Sequence, residues 1–254
     1  MPLSPHHLHR SVDPRLQTAR IFILGAGGLG APLAWFLARA GIGHLVIADS
    51  DRVERSNLPR QILHVTARVG APKAESARLT LQRIHPATRV TPIPARITAT
   101  NILQAVAGCD LAVDGSDNYS ARHRLNRACL NCRIPLVSGA VSGFEGQVAT
   151  FHHGVDPEAP CYHCLYPETN ANDTSETDPT TCATAGVLGP VAGVIAALLA
   201  AEVVKTVLNR PAPHDTGSLR LINLRNSLDL RIAIPKDPAC PVCARPPILP
   251  NPPT

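Results

Sequence analysis

The stretch Gly25-Ala26-Gly27-Gly28-Leu29-Gly30 decides most of what this chain can become. It ends an apolar run, ARIFIL, and opens a run with helical spacing, GLGAPLAWFLARAG, that stops at Gly41. An apolar run closed by glycine reads as a buried strand. Glycines at this spacing permit a tight strand-to-helix turn and a close backbone approach to a phosphate. The helix beyond the turn offers amide donors and a partial positive charge. Asp49 stands roughly twenty residues further on, where an acid usually receives a ribose hydroxyl pair.

The same alternation continues. HLVIADS reads as a second strand, and residues 72–84, opened by Pro72 in the first turn, as a helix. TRVTPIPARI reads as a weak strand whose prolines place it at an edge. ILQAVAGC is an expected helix, DLAVDGSD a strand, NYSARHRLNRACLNC a helix and IPLVSGAV a strand. Right-handed βαβ units and a parallel sheet follow. After about Ser142 the texture changes. EGQVATF has the look of an antiparallel strand, residues 167–181 of a polar mobile loop, and residues 187–208 of a long helix. GSLRLINLRNSLDLRIAI holds two strands around a turn. The expected fold class is α/β: a Rossmann-like, mostly parallel sheet continuing into an antiparallel half, with helices on both faces. The expected organisation is an N-terminal arm (1–15), a single domain (16–245) and a disordered proline-rich tail (246–254).

Composition narrows the partners. The 254 residues suffice for a proper core, and the apolar fraction of 44% is that of a soluble globular protein. The net charge of +5 is spread along the chain, which fits an anionic ligand better than a nucleic-acid footprint. Aromatics at 3% exclude a stacking platform. Ala183 to Ala201 carries no charge, but it is Ala/Gly-rich, interrupted by Pro190, and runs into Glu202 and Lys205. It is expected as a buried helix, not a membrane span. The N-terminal residues show no apolar h-region, so the expected location is cytoplasmic.

The stretch after the second strand, DSDRVERSNLPRQ, carries the chemistry. Asn57 and Arg60 follow Asp49, and Lys73 heads the next helix. Asp117 and Asn118 lie just past the fourth strand. In a parallel sheet all of these project from carboxyl ends of strands, where ligands bind. The set supplies a ribose acceptor, two cations and an amide for phosphates, and a second acid suited to magnesium. A nicotinamide dinucleotide needs neither the cations nor the second acid. The ligand indicated is ATP, with cleavage at the α-phosphate, because no Walker lysine loop cradles a γ-phosphate.

The Gly-rich turn, DSDRVERSNLPRQ, GAPKAES and VDGSDNYSAR together resemble the adenylation core of the ThiF/MoeB/HesA family, bacterial relatives of ubiquitin-activating enzymes. The resemblance covers roughly residues 15 to 245. It implies adenylation of the C-terminal glycine of a ubiquitin-like sulfur carrier of ThiS or MoaD type, ending in Gly-Gly, for thiamine or molybdopterin biosynthesis. It further implies that Gly25, Gly27, Gly28, Asp49, Ser56, Asn57, Arg60, Lys73 and Asn118 hold ATP and that Asp117 binds magnesium. A homodimer and a separate sulfur donor, a desulfurase or rhodanese, belong to the same expectation; a nucleic-acid or membrane partner does not. The alternative is a family relative that acts on the carboxylate of a modified tRNA base. The family's arginine-bearing N-terminal segment is shortened here to HLHRSVDPR, which leaves Arg10 or Arg15 as the arginine that reaches a partner subunit's ATP.

Of the eight cysteines, Cys161 and Cys164 form one CxxC pair and Cys240 and Cys243 another. Two such pairs supply four tetrahedral thiolates, a closed structural zinc site tying the chain's end to its middle. His163 inside the first pair reads as exposed and not as a ligand. Cys182 stands apart near a helix start, where a thiol gains reactivity; it matches the cysteine that in relatives can link to the carrier. Cys109, Cys129 and Cys132 read as core.

Overall fold

The computed structural model describes residues 12–168, 186–209 and 217–244. The expectations for Arg10, Cys182, residues 169–181 and the tail fall outside the described residues.

Eight strands follow the chain: β1 (Arg20–Leu24), β2 (His44–Ala48), β3 (Arg89–Ile93), β4 (Leu111–Asp114), β5 (Leu136–Ser142), β6 (Glu145–Phe151), β7 (Ser218–Asn223) and β8 (Leu228–Ala233). They form one sheet in the order β3-β2-β1-β4-β5-β6-β7-β8. Pairing is parallel from β3 to β5 and antiparallel from β5 to β8. The proline-bearing strand β3 does lie at an edge, as its missing amide donors require. Chain order reverses direction at β1, which has β2 on one side and β4 on the other. A crevice opens there, beyond the carboxyl ends of both strands.

The central strand shows why the core has two halves. Ile21 and Ile23 point to one face, Phe22 and Leu24 to the other, and the first three are fully buried. On the first face lie α2 (Gly30–Arg39), α3 (Lys73–Ile84) and α7 (Gly189–Val207), through Leu33, Leu37, Leu81, Ile195 and Leu199. On the second lie α4 (Ile102–Val106), α5 (Tyr119–Cys132) and α6 (Tyr162–Leu165), through Ile102, Leu125 and Tyr162. Each large side chain so placed contributes about 1.5–3 kcal/mol.

The long helix α7 has a mean hydropathy of 1.8 and could cross a membrane by length and composition. Here Val191, Ala192, Ile195, Ala196, Leu199, Ala200 and Val203 form one buried stripe, packed on α2, β5 and β6. Two boundaries differ from expectation. Helix α3 begins at Lys73, because Pro72 has an extended ψ of 134° and serves as its cap. A short helix α1 (Pro14–Thr18) precedes β1, held by the Asp13 carboxylate accepting Arg15 N–H at 2.9 Å. Five residues are too few to show helical periodicity, so this helix was not legible in the sequence.

The turn from β1 into α2 is the tightest place in the fold. Gly25 has φ +95°, a left-handed value, and a Cβ on Gly30 would stand 1.9 Å from the Gly25 carbonyl oxygen. Neither backbone atom can yield without moving strand or helix. Gly30→Ala is expected to cost about 3 kcal/mol of stability. Urea unfolding should show a lower midpoint at unchanged slope; an unaltered midpoint would mean that the turn relaxes freely.

Candidate functional site

The carboxyl ends of β1, β2 and β4 meet in a cleft of about 490 Å³. Gly25, Gly27, Gly28, Asp49, Asn57, Arg60, Lys73, Asp117 and Asn118 all line it. Ser56, expected with them, does not: its hydroxyl donates to the Glu54 carboxylate at 3.1 Å, and its carbonyl accepts from Arg60 Nη1 at 2.9 Å. Its contribution is to aim Arg60. Arg15 lies away from the cleft, donating to the Asp13 carboxylate and to the Leu208 carbonyl at 2.8 Å.

Asp49 fixes the shape of the glycine turn. Its Oδ2 accepts the Ala26 N–H at 2.7 Å and its Oδ1 the Asp51 N–H at 2.8 Å. Each carboxylate oxygen keeps a lone pair for a ligand hydroxyl. Burial pushes the Asp49 carboxyl above its ordinary range, opposed by the Ala26 amide and by Lys73. Behind the turn, His64 places Nε2 at 3.0 Å from the Ala26 carbonyl and Nδ1 at 3.0 Å from the Ser76 hydroxyl. A carbonyl can only accept, so Nε2 carries the proton and Nδ1 accepts from Ser76. Burial holds His64 below its usual range, consistent with a neutral ring that ties the turn to α3.

Lys73 is buried, with its Nζ donating to Asp51 Oδ2 at 2.8 Å. A lysine at the first residue of a helix opposes the helix dipole, a cost of about 0.3–1 kcal/mol. Its placement makes sense beside a ligand of high negative charge. Asn57 caps its own turn by accepting Glu54 N–H at 3.1 Å. Arg60 lies over the glycine turn, with its Cδ 3.8 Å from where a Cβ on Gly28 would stand. Around the cleft Arg52, Arg60, Lys73, Arg96, Arg122 and Arg124 outnumber Asp49, Asp51, Glu54 and Asp117. The balance favours an anion.

Asp117 is exposed, on backbone that its neighbours pin. Asn118 caps α5 by accepting Ala121 N–H at 2.8 Å. Ser116 donates its N–H to the buried Asp114 carboxylate at 3.0 Å and its carbonyl accepts from Arg122 Nη2 at 2.6 Å. Asp114 and Arg122 escaped the sequence reading, although both lie within or beside the quoted VDGSDNYSAR. The signal was available: Arg122 is four residues beyond the cap Asn118 and shares its helix face. Gln61 was missed too. It is buried against the turn, its Nε2 3.7 Å from where a Cβ on Gly27 would stand, and its Oε1 has no hydrogen-bond partner among the described residues.

The four thiols of Cys161, Cys164, Cys240 and Cys243 lie within 4.8 Å of one another. Their sulfurs stand 3.9, 4.0 and 3.5 Å apart along the set. A regular zinc tetrathiolate with bonds of about 2.3 Å has sulfur edges of about 3.8 Å, so the donor set fits zinc. No fifth position is needed, and the site is structural in character. Cys109 and Cys129 are core, as expected; Cys132 is only partly buried. His163, expected to be exposed, is buried instead. The short helix α6 turns its ring inward, 5.6 Å from the His123 ring centroid. Its Nδ1 lies 3.6 Å from Cys240 Sγ, and its Nε2 accepts Glu168 N–H at 3.3 Å.

Comparison with known proteins shows what the chain is similar to. The profile of the ThiF family matches residues 7–242. The SAMP-activating enzyme E1 of Haloferax volcanii is 42% identical over 244 residues, spanning 94% of this chain and 87% of that protein. The sulfur carrier protein adenylyltransferase of Thermus thermophilus is 40% identical over 231 residues, spanning 90% and 83%. The crystal structure of E. coli MccB with ATP superposes with a TM-score of 0.77 at 25% identity, over 91% of this chain and 69% of that one.

The metal assignment is open to a simple check. Elemental analysis of the purified protein is expected to find about one zinc per chain, and the Cys161→Ser, Cys243→Ser double variant to hold none. Full zinc content in that variant would remove the site from these cysteines.

Proposed function

The chain belongs to the ThiF family, and from that premise we propose that it is an ATP-dependent adenylyltransferase acting in the cytoplasm on the C-terminal glycine of a ubiquitin-like sulfur-carrier protein. The observation that supports this most is the convergence of Asp49, Arg60, Lys73 and Asp117 on one cleft at the sheet's reversal point. The carrier is of ThiS or MoaD type. The Thermus relative is named for a sulfur carrier protein, which favours a protein carboxylate over that of a modified tRNA base. A nicotinamide ligand would leave the cationic side chains and Asp117 without a task.

In this reading Asp49 accepts the ribose hydroxyls and the amides of the Gly25–Gly28 turn face the phosphates. Asn57, Arg60 and Lys73 hold the triphosphate, and Asn118 orders the loop beside it. Asp117 is the carboxylate that would hold magnesium, which supplies charge neutralisation on the phosphate oxygens when bound. A carrier carboxylate oxygen attacks the α-phosphorus, the bond to the bridging oxygen breaks, and pyrophosphate leaves. The attacking carboxylate is ionised at neutral pH, so no side-chain base is required. Catalysis is positioning plus charge stabilisation.

Exposed apolar residues support a reading of the partners. Leu228, Leu230 and Ile232 alternate along β8 and are 46%, 44% and 42% exposed, an apolar face for the carrier's body. Leu188 and Val194 on and before α7, with Ile62 beside the Arg60 loop, offer an apolar face to a second copy of the chain. In that homodimer Arg10 of the other copy reaches the phosphates; Arg15 is already engaged by Asp13 and Leu208. Cys182 is the thiol that would link to the carrier, and the sulfur would come from a separate donor, a desulfurase or rhodanese.

Carrier-dependent exchange of pyrophosphate into ATP tests the reading. Asp117→Ala is expected to lower it about a hundredfold or more, with the fold intact by circular dichroism. Normal exchange in that variant would overturn the magnesium assignment, and no exchange in the parent with any carrier would overturn the function.

A further inference from the structure

Helix α5 runs from the nucleotide cleft to the four-cysteine site, and its contacts at both ends are made by one stripe. Asn118, Arg122 and Asn126 are spaced by four residues and lie on the same face. Asn118 caps the helix beside Asp117. One turn on, Arg122 donates Nη2 to the Ser116 carbonyl at 2.6 Å and sets Nε 3.2 Å from Asp114 Oδ2. Its guanidinium also faces the Tyr162 hydroxyl closely enough to favour the ionised phenol. One turn further, Asn126 accepts the Tyr162 N–H at 3.1 Å and directs Nδ2 at Cys161 Sγ, 3.6 Å away.

Tyr162 is therefore held by α5 at its backbone, through Asn126, with its hydroxyl beside Arg122. It sits between two of the sulfur donors, Cys161 and Cys164, is 2% exposed, and does not line the cleft. Asp114 is 1% exposed and accepts three further hydrogen bonds, from Ser116 N–H at 3.0 Å, Ser116 Oγ at 2.6 Å and Ser138 Oγ at 3.0 Å. A buried carboxylate so satisfied has one arrangement, and Arg122 is locked with it. One face of α5 thus joins Cys161, through Asn126, to the backbone on which Asp117 stands, through Arg122. Amide-to-sulfur contacts of the Asn126 kind orient metal ligands, and the orientation is mutual.

We propose that Arg122 is a positioning residue for Asp117, that Tyr162 sets the orientation of Arg122, and that the metal-bound state of the four cysteines thereby tunes the affinity of the cleft for magnesium-bound triphosphate. The inference rests on the adenylyltransferase reading. It goes beyond that reading in giving the cysteine site a part in nucleotide binding besides stapling the chain. The link acts on the magnesium side of the cleft. Asp49, which would meet the ribose, directly follows β2 and takes its hydrogen bonds from Ala26 and Asp51, neither of them on α5.

That asymmetry supplies the test. Calorimetry on the full, metal-loaded chain measures MgATP and magnesium-free AMP in parallel. Tyr162→Phe keeps the ring and removes only the hydroxyl; it is expected to weaken MgATP about five- to tenfold and leave AMP unchanged. Arg122→Lys should weaken MgATP more, with a higher magnesium concentration needed for half-saturation. Stripping the cysteine metal with a chelator should lower MgATP affinity in the parent, and by less in the Tyr162→Phe variant, whose link is already cut. MgATP affinity unchanged in Tyr162→Phe, or MgATP and AMP weakened equally, overturns the proposal. A parent that binds AMP and not MgATP would instead refute the adenylyltransferase reading, and this inference with it.

Discussion

The bond from Ala26 N–H to Asp49 Oδ2, 2.7 Å long, ties the end of β1 to the end of β2 at the sheet's reversal point. Everything at the cleft is arranged around it. The glycine turn keeps its shape because that carboxylate holds it from one side and neutral His64 from the other. Gly30 lies so close to the Gly25 carbonyl that α2 has one place to start. The cost is a carboxyl group buried far enough for its proton affinity to rise. A protein that needed only a turn would place an uncharged residue there; an acid with spare lone pairs is suited to a ligand's hydroxyls.

The electrostatics point the same way. Lys73 at a helix start opposes the dipole of α3, and it and the arginines around the cleft repel one another. Each such placement costs a few tenths of a kcal/mol to about one. A triphosphate facing several cations in a partly desolvated cleft returns more than that, since charge-assisted hydrogen bonds are roughly twice as strong as neutral ones. The arrangement is unfavourable for the empty fold and favourable for the liganded one. Local features that disagree with stability gather at sites of function.

Much of this was legible in the sequence because it is local or periodic. An apolar run ending in glycine marked β1, a second apolar run marked β2, prolines marked β3 as an edge, and two CxxC pairs marked the sulfur cluster. The convergence of Asp49, Arg60, Lys73 and Asp117 on one cleft was legible because strand ends gather in a parallel sheet. What escaped was tertiary. His163 turns inward because α6 packs on α5, a contact that sequence spacing does not encode. Ser56 spends its polar groups on Glu54 and Arg60, so it braces a neighbour rather than meeting the cleft. Asp114 and Arg122 drew no notice because one looks like the last residue of a strand and the other like a solvated helix charge, until the fold brings them to 3.2 Å.

The central claim is that the cleft leaves the innermost phosphorus of ATP open to an incoming peptide carboxylate. Position-specific labelling reads this directly. The protein, magnesium and a glycine-terminated carrier are incubated with ATP labelled at either the α- or the γ-phosphorus. The account predicts label on the carrier from α-labelled ATP alone, with the γ-label released as pyrophosphate. Label reaching the carrier from the γ-position would mean phosphoryl rather than adenylyl transfer, and would contradict it.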